Sequence, residues 1–88
     1  MAKKELTLDE IIKLQSSEDW KDRFKSEFHL TLRRVKKLGE FINKYRAGKL
    51  GFDPNCPIQL FDMQIEAMCK YLDVLVIRAK LEGVDLYG

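Results

Sequence analysis

The chain has 88 residues, of which 45% are hydrophobic and 34% charged, and its formal net charge is +2. A domain of this size buries only about 60% of the surface of its unfolded chain, so its core usually needs support from a metal, a disulfide or a partner. Two cysteines, Cys56 and Cys69, and a single histidine, His29, argue against a disulfide framework and a Cys/His zinc site. We expect no metal and no cofactor, and we expect the support to come from self-association.

The N-terminal segment MAKKELTLDE carries charges where a signal peptide needs an apolar region. No run of residues approaches the roughly 18 apolar positions of a membrane span. We therefore expect a cytoplasmic protein with no membrane partner. The charge is distributed unevenly, because residues 1–49 carry 13 Lys+Arg and 8 Asp+Glu, whereas residues 50–88 carry 3 and 6. The two parts have net charges of +5 and −3.

A short first helix is predicted near the N-terminus. Thr7, followed three residues later by Glu10, forms a capping box, which predicts a helix over about residues 8–15. Ser16 and Ser17 then break this helix, and their hydroxyls are suited to cap the next one.

The second predicted helix is long, covering about residues 18–47. Its apolar positions recur at spacings of three and four, which is the period of one helical stripe. Gly48 follows a basic last turn and is suited to end the helix. The members of the stripe are Trp20, Phe24, Phe28, Leu32, Val35, Leu38, Ile42 and Tyr45.

A loop over residues 48–56 precedes the third predicted helix, over about 57–82. The segment GKLGFDPNCP contains two glycines and both prolines, which is typical of a loop. The third helix shows a heptad seam that alternates steps of three and four. Residues 83–88 are expected to form a loose or docked tail. The seam comprises Ile58, Phe61, Ile65, Met68, Leu72, Leu75 and Ala79.

These elements predict one all-α domain over residues 1–88: a short N-terminal helix followed by a long antiparallel helical hairpin, assembled into a homo-oligomeric helical bundle. The stretch YLDVLVI, residues 71–77, is apolar on more faces than one hairpin partner covers. The surplus must face either the first helix or another protomer. The residues predicted to form an oligomer interface are Tyr71, Val74, Val76, Ile77 and Leu81.

The run RRVKK at residues 33–37 opens a basic segment that reaches Lys49, with seven basic residues against the single acid Glu40. One interpretation is that these charges complement the helix dipole and keep the protein soluble. The other is an anionic partner, since Arg33, Arg34 and Lys37 lie on or beside one helical face and guanidinium groups bind phosphate well.

Trp20 with Lys21 and Arg23 forms a second candidate ligand site, because an indole beside cations can stack a base and hold its phosphate. The alternative is that Trp20 closes the end of the hairpin core. We find no spacing typical of a catalytic triad, no HExxH and no Gly-rich phosphate loop, so we expect no enzymatic activity and no catalytic residue.

Three motifs carry a resemblance to a known family over about residues 18–81. They are Trp20-x2-Arg23-Phe24-x2-Glu27, then Leu32-x2-Val35-x2-Leu38-x2-Phe41-Ile42, then Gln64-x3-Met68-x2-Tyr71-x3-Leu75-x2-Arg78. Together they resemble a family of small bacteriophage helical-hairpin proteins named for a relative in a crAss-like phage. The loop GKLGFDPNCP and the tail VDLYG depart from the family pattern. The architecture implied is similar to that of the phage anti-CBASS sponge proteins, which bind cyclic oligonucleotide immune messengers without degrading them.

The resemblance implies a non-enzymatic phage counter-defence protein that sequesters a cyclic di- or trinucleotide in the host cytoplasm. Arg33, Arg34 and Lys37 would then hold phosphates, and Trp20 or Tyr87 would stack a base. Two alternatives remain: a nucleic-acid-binding phage accessory protein that uses the same basic face, or a helical protein that binds and inhibits a host protein.

Overall fold

The computed structural model describes residues 5–88, and within that range its regular structure is entirely helical. The predicted all-α class is confirmed. The residues Met1 to Lys4, which contribute to the charged N-terminal segment, lie outside the described range. The three helices are α1 (Leu8–Gln15), α2 (Trp20–Arg46) and α3 (Ile58–Glu82). No helix in residues 5–88 is long and apolar enough to cross a membrane.

α1 begins at the expected capping box. The Glu10 backbone N–H donates to the Thr7 hydroxyl at 3.2 Å, and the Thr7 backbone N–H donates to the Glu10 carboxylate at 3.0 Å. Ile11 is the buried residue of this helix. Beside it the hydroxyl of Ser26, itself buried, donates to the Ile11 carbonyl at 3.0 Å. This bond ties α1 to the first half of α2.

The helix α1 packs against α2, and α3 packs against α2, but α1 and α3 do not pack against each other. The expectation that α1 could lie across the surplus apolar face of α3 is therefore wrong. α1 has only eight residues, and the helix that it contacts is α2.

The cap of α2 also differs from the expected one. Asp19 is the capping residue, and its carboxylate accepts from the Lys21 backbone N–H at 2.9 Å. Ser17, two residues before Asp19, bonds the segment that leads into α2. Its hydroxyl accepts from the Asp19 backbone N–H at 3.1 Å and donates to the Asp22 carboxylate at 2.8 Å. A charged carboxylate at this position also complements the positive end of the helix dipole.

Contacts between α2 and α3 pair the start of one helix with the end of the other. Near the start of α2, the Arg78 guanidinium lies 4.9 Å from the Phe24 ring centroid. Near its end, the Phe41 and Phe61 rings are 5.1 Å apart. The two helices therefore run in opposite directions. The main core cluster lies at the end of the hairpin away from the loop and comprises Phe24, Phe28, Leu72, Leu75, Ala79 and Val84.

The C-terminal tail is docked. Gly83 ends α3 with a φ of 72°, a left-handed conformation that glycine adopts without strain. The next residue, Val84, is buried in the core cluster, and its backbone N–H donates to the Ala79 carbonyl at 2.8 Å. Further on, Nε2 of His29 donates to the Leu86 carbonyl at 2.6 Å. A lone histidine with no catalytic or metal partners is expected at a surface or boundary position, but His29 is only 3% exposed, so this prediction is wrong.

Four of the five residues predicted for an oligomer interface are exposed: Tyr71, Val74, Ile77 and Leu81. Val76 is different, because it is half-buried and packs against the core cluster of its own chain. Tyr71 also contacts α2, because its hydroxyl donates to the Glu27 carboxylate at 3.2 Å. The exposed apolar face of α3 is therefore formed without Val76.

Candidate functional site

A surface groove of about 480 Å³ is lined by residues from all three helices. α2 forms most of the groove, while α1 contributes one apolar side chain and α3 contributes an amide and a thioether. The lining residues are Leu8, Leu30, Arg33, Arg34, Lys37, Gln64 and Met68. This volume is within the range of about 300–1,000 Å³ that small-molecule sites occupy.

The three basic residues of the groove come together because of their spacing on α2. Arg33 and Lys37 are one turn apart, and Arg34 lies beside them on the same turn, so all three side chains reach the same surface. None of them lies within 4 Å of a carboxylate in residues 5–88. The charge of Arg33 contributes to the lowered pKa of the Glu5 carboxyl, but Glu5 forms its ion pair with Lys36, so the three groove cations are without an ion pair in residues 5–88.

Two other cations of the basic segment are in ion pairs, whereas Lys44 and Lys49 form none in residues 5–88. Lys36 forms an ion pair with Glu5, and Arg46 forms one with Asp62. The Lys36 ammonium, through its hydrogen bond and its charge, holds the pKa of the Glu5 carboxyl below its usual value. The clustering of Arg33, Arg34 and Lys37 gives the groove a local excess of positive charge.

The remaining groove residues supply apolar surface and one amide. Leu8 is 45% exposed, which is high for a leucine, and Leu30 is half-buried beside it. The Gln64 amide donates to the Met68 sulfur at 3.9 Å, a long bond to a weak acceptor. This leaves the amide of Gln64 available to a ligand. The groove can therefore hold a molecule that combines anionic groups, an apolar ring and hydrogen-bonding edges.

Trp20 and Lys21 lie elsewhere. They are at the start of α2, 13 residues before Arg33, which corresponds to roughly 20 Å along the helix axis. Trp20 is 44% exposed and packs edge-on against Phe24 with ring centroids 6.4 Å apart. Lys21 lies 5.9 Å from the Trp20 ring and also donates to the Gly83 carbonyl at 3.4 Å. Within one chain, this pair does not form part of the groove.

Tyr87 lines a second cavity, of about 440 Å³, between α1, α2 and the tail. Its ring meets the edges of Phe28 and His29 with centroid distances of 6.0 and 5.1 Å. The charged side chains of this cavity have both signs: Glu10, Asp22, Lys13 and Lys25. Such a balance does not select an anion, so this cavity is a weaker candidate than the groove.

The six residues predicted to bind a ligand therefore separate into three locations. Arg33, Arg34 and Lys37 share the groove, whereas Trp20 with Lys21 and Tyr87 lie outside it. Sequence reasoning did not assign Gln64 and Met68 to the site. Their spacing of four residues in the third motif was the available signal, because a generic helical hairpin does not require a glutamine there.

The fold and the groove define a small all-α protein whose basic groove can hold an anionic small molecule. A family model described as Sequestin matches residues 18–81, and the chain belongs to the Sequestin family. The match includes all of α2 and almost all of α3. No curated protein and no solved structure matches the chain.

Proposed function

We propose that this protein binds a cyclic di- or trinucleotide in the basic groove and sequesters it without chemical change. The family name fits a sequestering protein. In this proposal the ligand is an immune messenger of a bacterial host, and the protein is a phage counter-defence factor that acts in the host cytoplasm. The phage setting rests on the sequence resemblance described above.

The observation that carries the proposal is the unpaired positive charge of Arg33, Arg34 and Lys37 beside apolar side chains. A cyclic dinucleotide has two phosphates, which need cations, and two flat bases, which need apolar surface and hydrogen-bonding groups. Charge-assisted hydrogen bonds between guanidinium and phosphate contribute about 1.5–3 kcal/mol each. Leu30 and Met68 offer apolar contact for a base, and the Gln64 amide can both donate to and accept from a base edge.

The sequestering unit in this proposal is a homo-oligomer. The groove is open, so one chain covers only part of a bound ligand, and a second copy can cover more of it. The exposed apolar side chains of α3 support such an assembly, since Ile77 and Leu81 are 59% and 82% exposed in the single chain. Trp20 and Tyr87 are both at least 40% exposed and stay candidates for stacking a base of a ligand shared between copies.

The direct experiment is calorimetric titration of cyclic di- and trinucleotides into the wild-type protein and into the double variant Arg33→Glu with Lys37→Glu. Loss of two charge-assisted contacts lowers affinity by at least about a hundredfold, because roughly 3 kcal/mol corresponds to a factor of about 150. Both side chains are exposed, so the double variant should keep the helicity of the wild type. Unchanged affinity in the double variant would remove the groove from the proposal.

A matched control is Lys44→Glu with Lys49→Glu, which changes the net charge by the same amount on basic residues outside the groove. We expect cyclic nucleotide affinity to stay within a factor of about three of wild type in this control, since surface charges at a distance are screened by salt. A long nucleic acid would contact this part of the basic segment as well. Weakening of duplex binding by the control would therefore favour a nucleic-acid accessory protein.

Salt dependence separates the same possibilities. A duplex-binding protein that contacts several phosphates loses orders of magnitude in affinity between about 50 and 200 mM salt, whereas a small dianion loses much less. Ligand screening by thermal shift is a suitable first step, since a ligand at 100 times its Kd adds about 2.7 kcal/mol to the stability of the native state. Absence of binding to both ligand classes would favour a protein that binds and inhibits a host protein.

A further inference from the structure

We propose that α3 pairs in an antiparallel orientation with α3 of a second copy of this chain, through a heptad seam opposite to the one that packs on α2. The pairing specifies the homo-oligomer named in the proposed function, but it does not depend on the identity of the ligand. It rests on the periodicity of α3, on the exposure of its outer face and on the position of one lysine.

The outer face of α3 has its own regular seam. Seven positions follow one another in alternating steps of three and four residues, which is the spacing of a coiled-coil contact line. They lie on the opposite side of α3 from the buried Leu72, Leu75 and Ala79. The five large apolar residues among them are 50–82% exposed. The seam comprises Leu60, Met63, Ala67, Lys70, Val74, Ile77 and Leu81.

Nothing in residues 5–88 covers this seam. α1 packs on α2 and not on α3, and the tail docks through Val84 onto the core cluster. A second α3 is a suitable occupant because a seam of this kind is self-complementary: a two-fold axis brings the same apolar surface to both sides of the contact. The seam extends over three heptads, or roughly 32 Å of helix.

Lys70 determines the orientation. A parallel pair places Lys70 directly opposite Lys70 of the second copy, so that two ammonium groups share one layer of the seam. An antiparallel pair instead places Lys70 opposite Val74 of the second copy, while Lys70 pairs with Glu66 of its own chain at 3.4 Å. Since like charges in one layer oppose pairing, the antiparallel orientation is favoured.

The same antiparallel register also pairs side chains of complementary size in the other layers of the seam. Met63 lies opposite Leu81, and the small Ala67 lies opposite the larger Ile77, so that side-chain volume is balanced across the seam. Glu66 lies on the flank of the seam, where this register brings it close to Lys80 of the second copy. Lys80 has no ion-pair partner within its own described chain.

The mass of the protein in solution is the first test. Sedimentation equilibrium at micromolar concentration should give twice the chain mass of 10.3 kDa, or a larger even multiple. Val74→Lys should shift the association constant at least a hundredfold toward dissociation, because it places a second ammonium group opposite Lys70 of the other copy in each half of the seam. The control is Ile12→Lys on α1, where the native side chain is 54% exposed, compared with 51% for Val74.

The control should retain the wild-type mass, and circular dichroism should show native helix content in both variants, since both positions are exposed in the single chain. A wild-type protein with the mass of one chain overturns the proposal, and so does a Val74→Lys variant that keeps the wild-type mass. A failed nucleotide titration leaves the result unaffected, so this proposal and the ligand proposal fail separately.

The orientation is tested by crosslinking. In a background with Cys56→Ser and Cys69→Ser, the double variant Met63→Cys with Leu81→Cys is treated with a short bismaleimide. The antiparallel register brings each new thiol next to its counterpart in the second copy, so covalent dimers should form. The two thiols of one chain are 18 residues apart, or roughly 27 Å along the helix, which a short linker does not span.

The single variant Met63→Cys distinguishes the two orientations. Its two thiols are again roughly 27 Å apart in the antiparallel pair but adjacent in a parallel one. We expect covalent dimers from the double variant and none above background from the single variant. Efficient crosslinking of the single variant overturns the antiparallel orientation, and absence of crosslinking in the double variant overturns the register.

Discussion

Replacement of His29 by alanine should release the C-terminal tail and lower the stability of the whole domain. His29 is 3% exposed, and its ring meets the edges of Phe28 and Tyr87, each with a centroid distance of 5.1 Å. Nε2 also donates to the Leu86 carbonyl at 2.6 Å. Removing a buried ring leaves a cavity and removes this hydrogen bond, which together should cost about 2–4 kcal/mol. The total free energy of unfolding of a domain of this length is roughly 4–13 kcal/mol.

The packing and hydrogen-bond contributions can be separated with His29→Phe. Phenylalanine keeps a ring between Phe28 and Tyr87 but cannot donate to Leu86, so its cost should be only about 0.5–1.5 kcal/mol. Urea denaturation followed by circular dichroism measures both values, and the melting temperature should fall by about 4–8 °C for each kcal/mol. In NMR spectra of His29→Ala, the backbone amide resonances of residues 84–88 should lose their native chemical shifts.

Two results would refute this reasoning. If both variants cost the same free energy, the ring makes no packing contribution and the hydrogen bond accounts for the whole effect. If neither variant costs more than about 0.5 kcal/mol, which is the scale of ordinary surface substitutions, His29 does not anchor the tail.

Three further substitutions test single contacts, each by urea denaturation. Thr7→Ala should cost about 0.5–2 kcal/mol, because the hydroxyl that caps α1 is lost, while Thr7→Ser should be close to wild type. Ser26→Ala should cost about 0.5–1.5 kcal/mol through the lost bond to the Ile11 carbonyl, and a cost near zero would mean that this bond does not tie α1 to α2. Gly83→Ala should cost about 1–2 kcal/mol, because a φ of 72° strains a residue with a Cβ; a neutral or stabilising effect would contradict this.

Local signals in the sequence were sufficient for the helices. The capping box of Thr7 and Glu10 is formed by residues three apart, and the glycine at position 83 ends α3 through its own backbone preference. The stripe of α2 and the first seam of α3 are also periodic over many turns, so a single exception does not obscure them. These features depend on neighbours in sequence, which is why they could be predicted.

The contacts that the sequence did not reveal join residues far apart in the chain. His29 and Leu86 are 57 residues apart, and the tail has no periodic pattern that would indicate its docking. The packing of α1 on α2 was also not predictable, because it joins residues far apart in the chain and a short apolar face fits several surfaces. In the groove, the basic residues of α2 were predicted from their run, but Gln64 reaches the site only through the packing of α3 on α2.

The arrangement of α1 and α3 on α2 has a consequence for the order of unfolding. Because both packing interfaces use α2, loss of α2 removes all tertiary contacts between helices, whereas loss of α1 leaves the contacts of α2 with α3 intact. The amide hydrogens of α1 should therefore exchange with solvent through a local opening, at a lower free energy than global unfolding. The amides in the first half of α2, where most of its buried residues lie, should exchange only when the whole domain unfolds, which makes this half the slowest-exchanging segment of the protein.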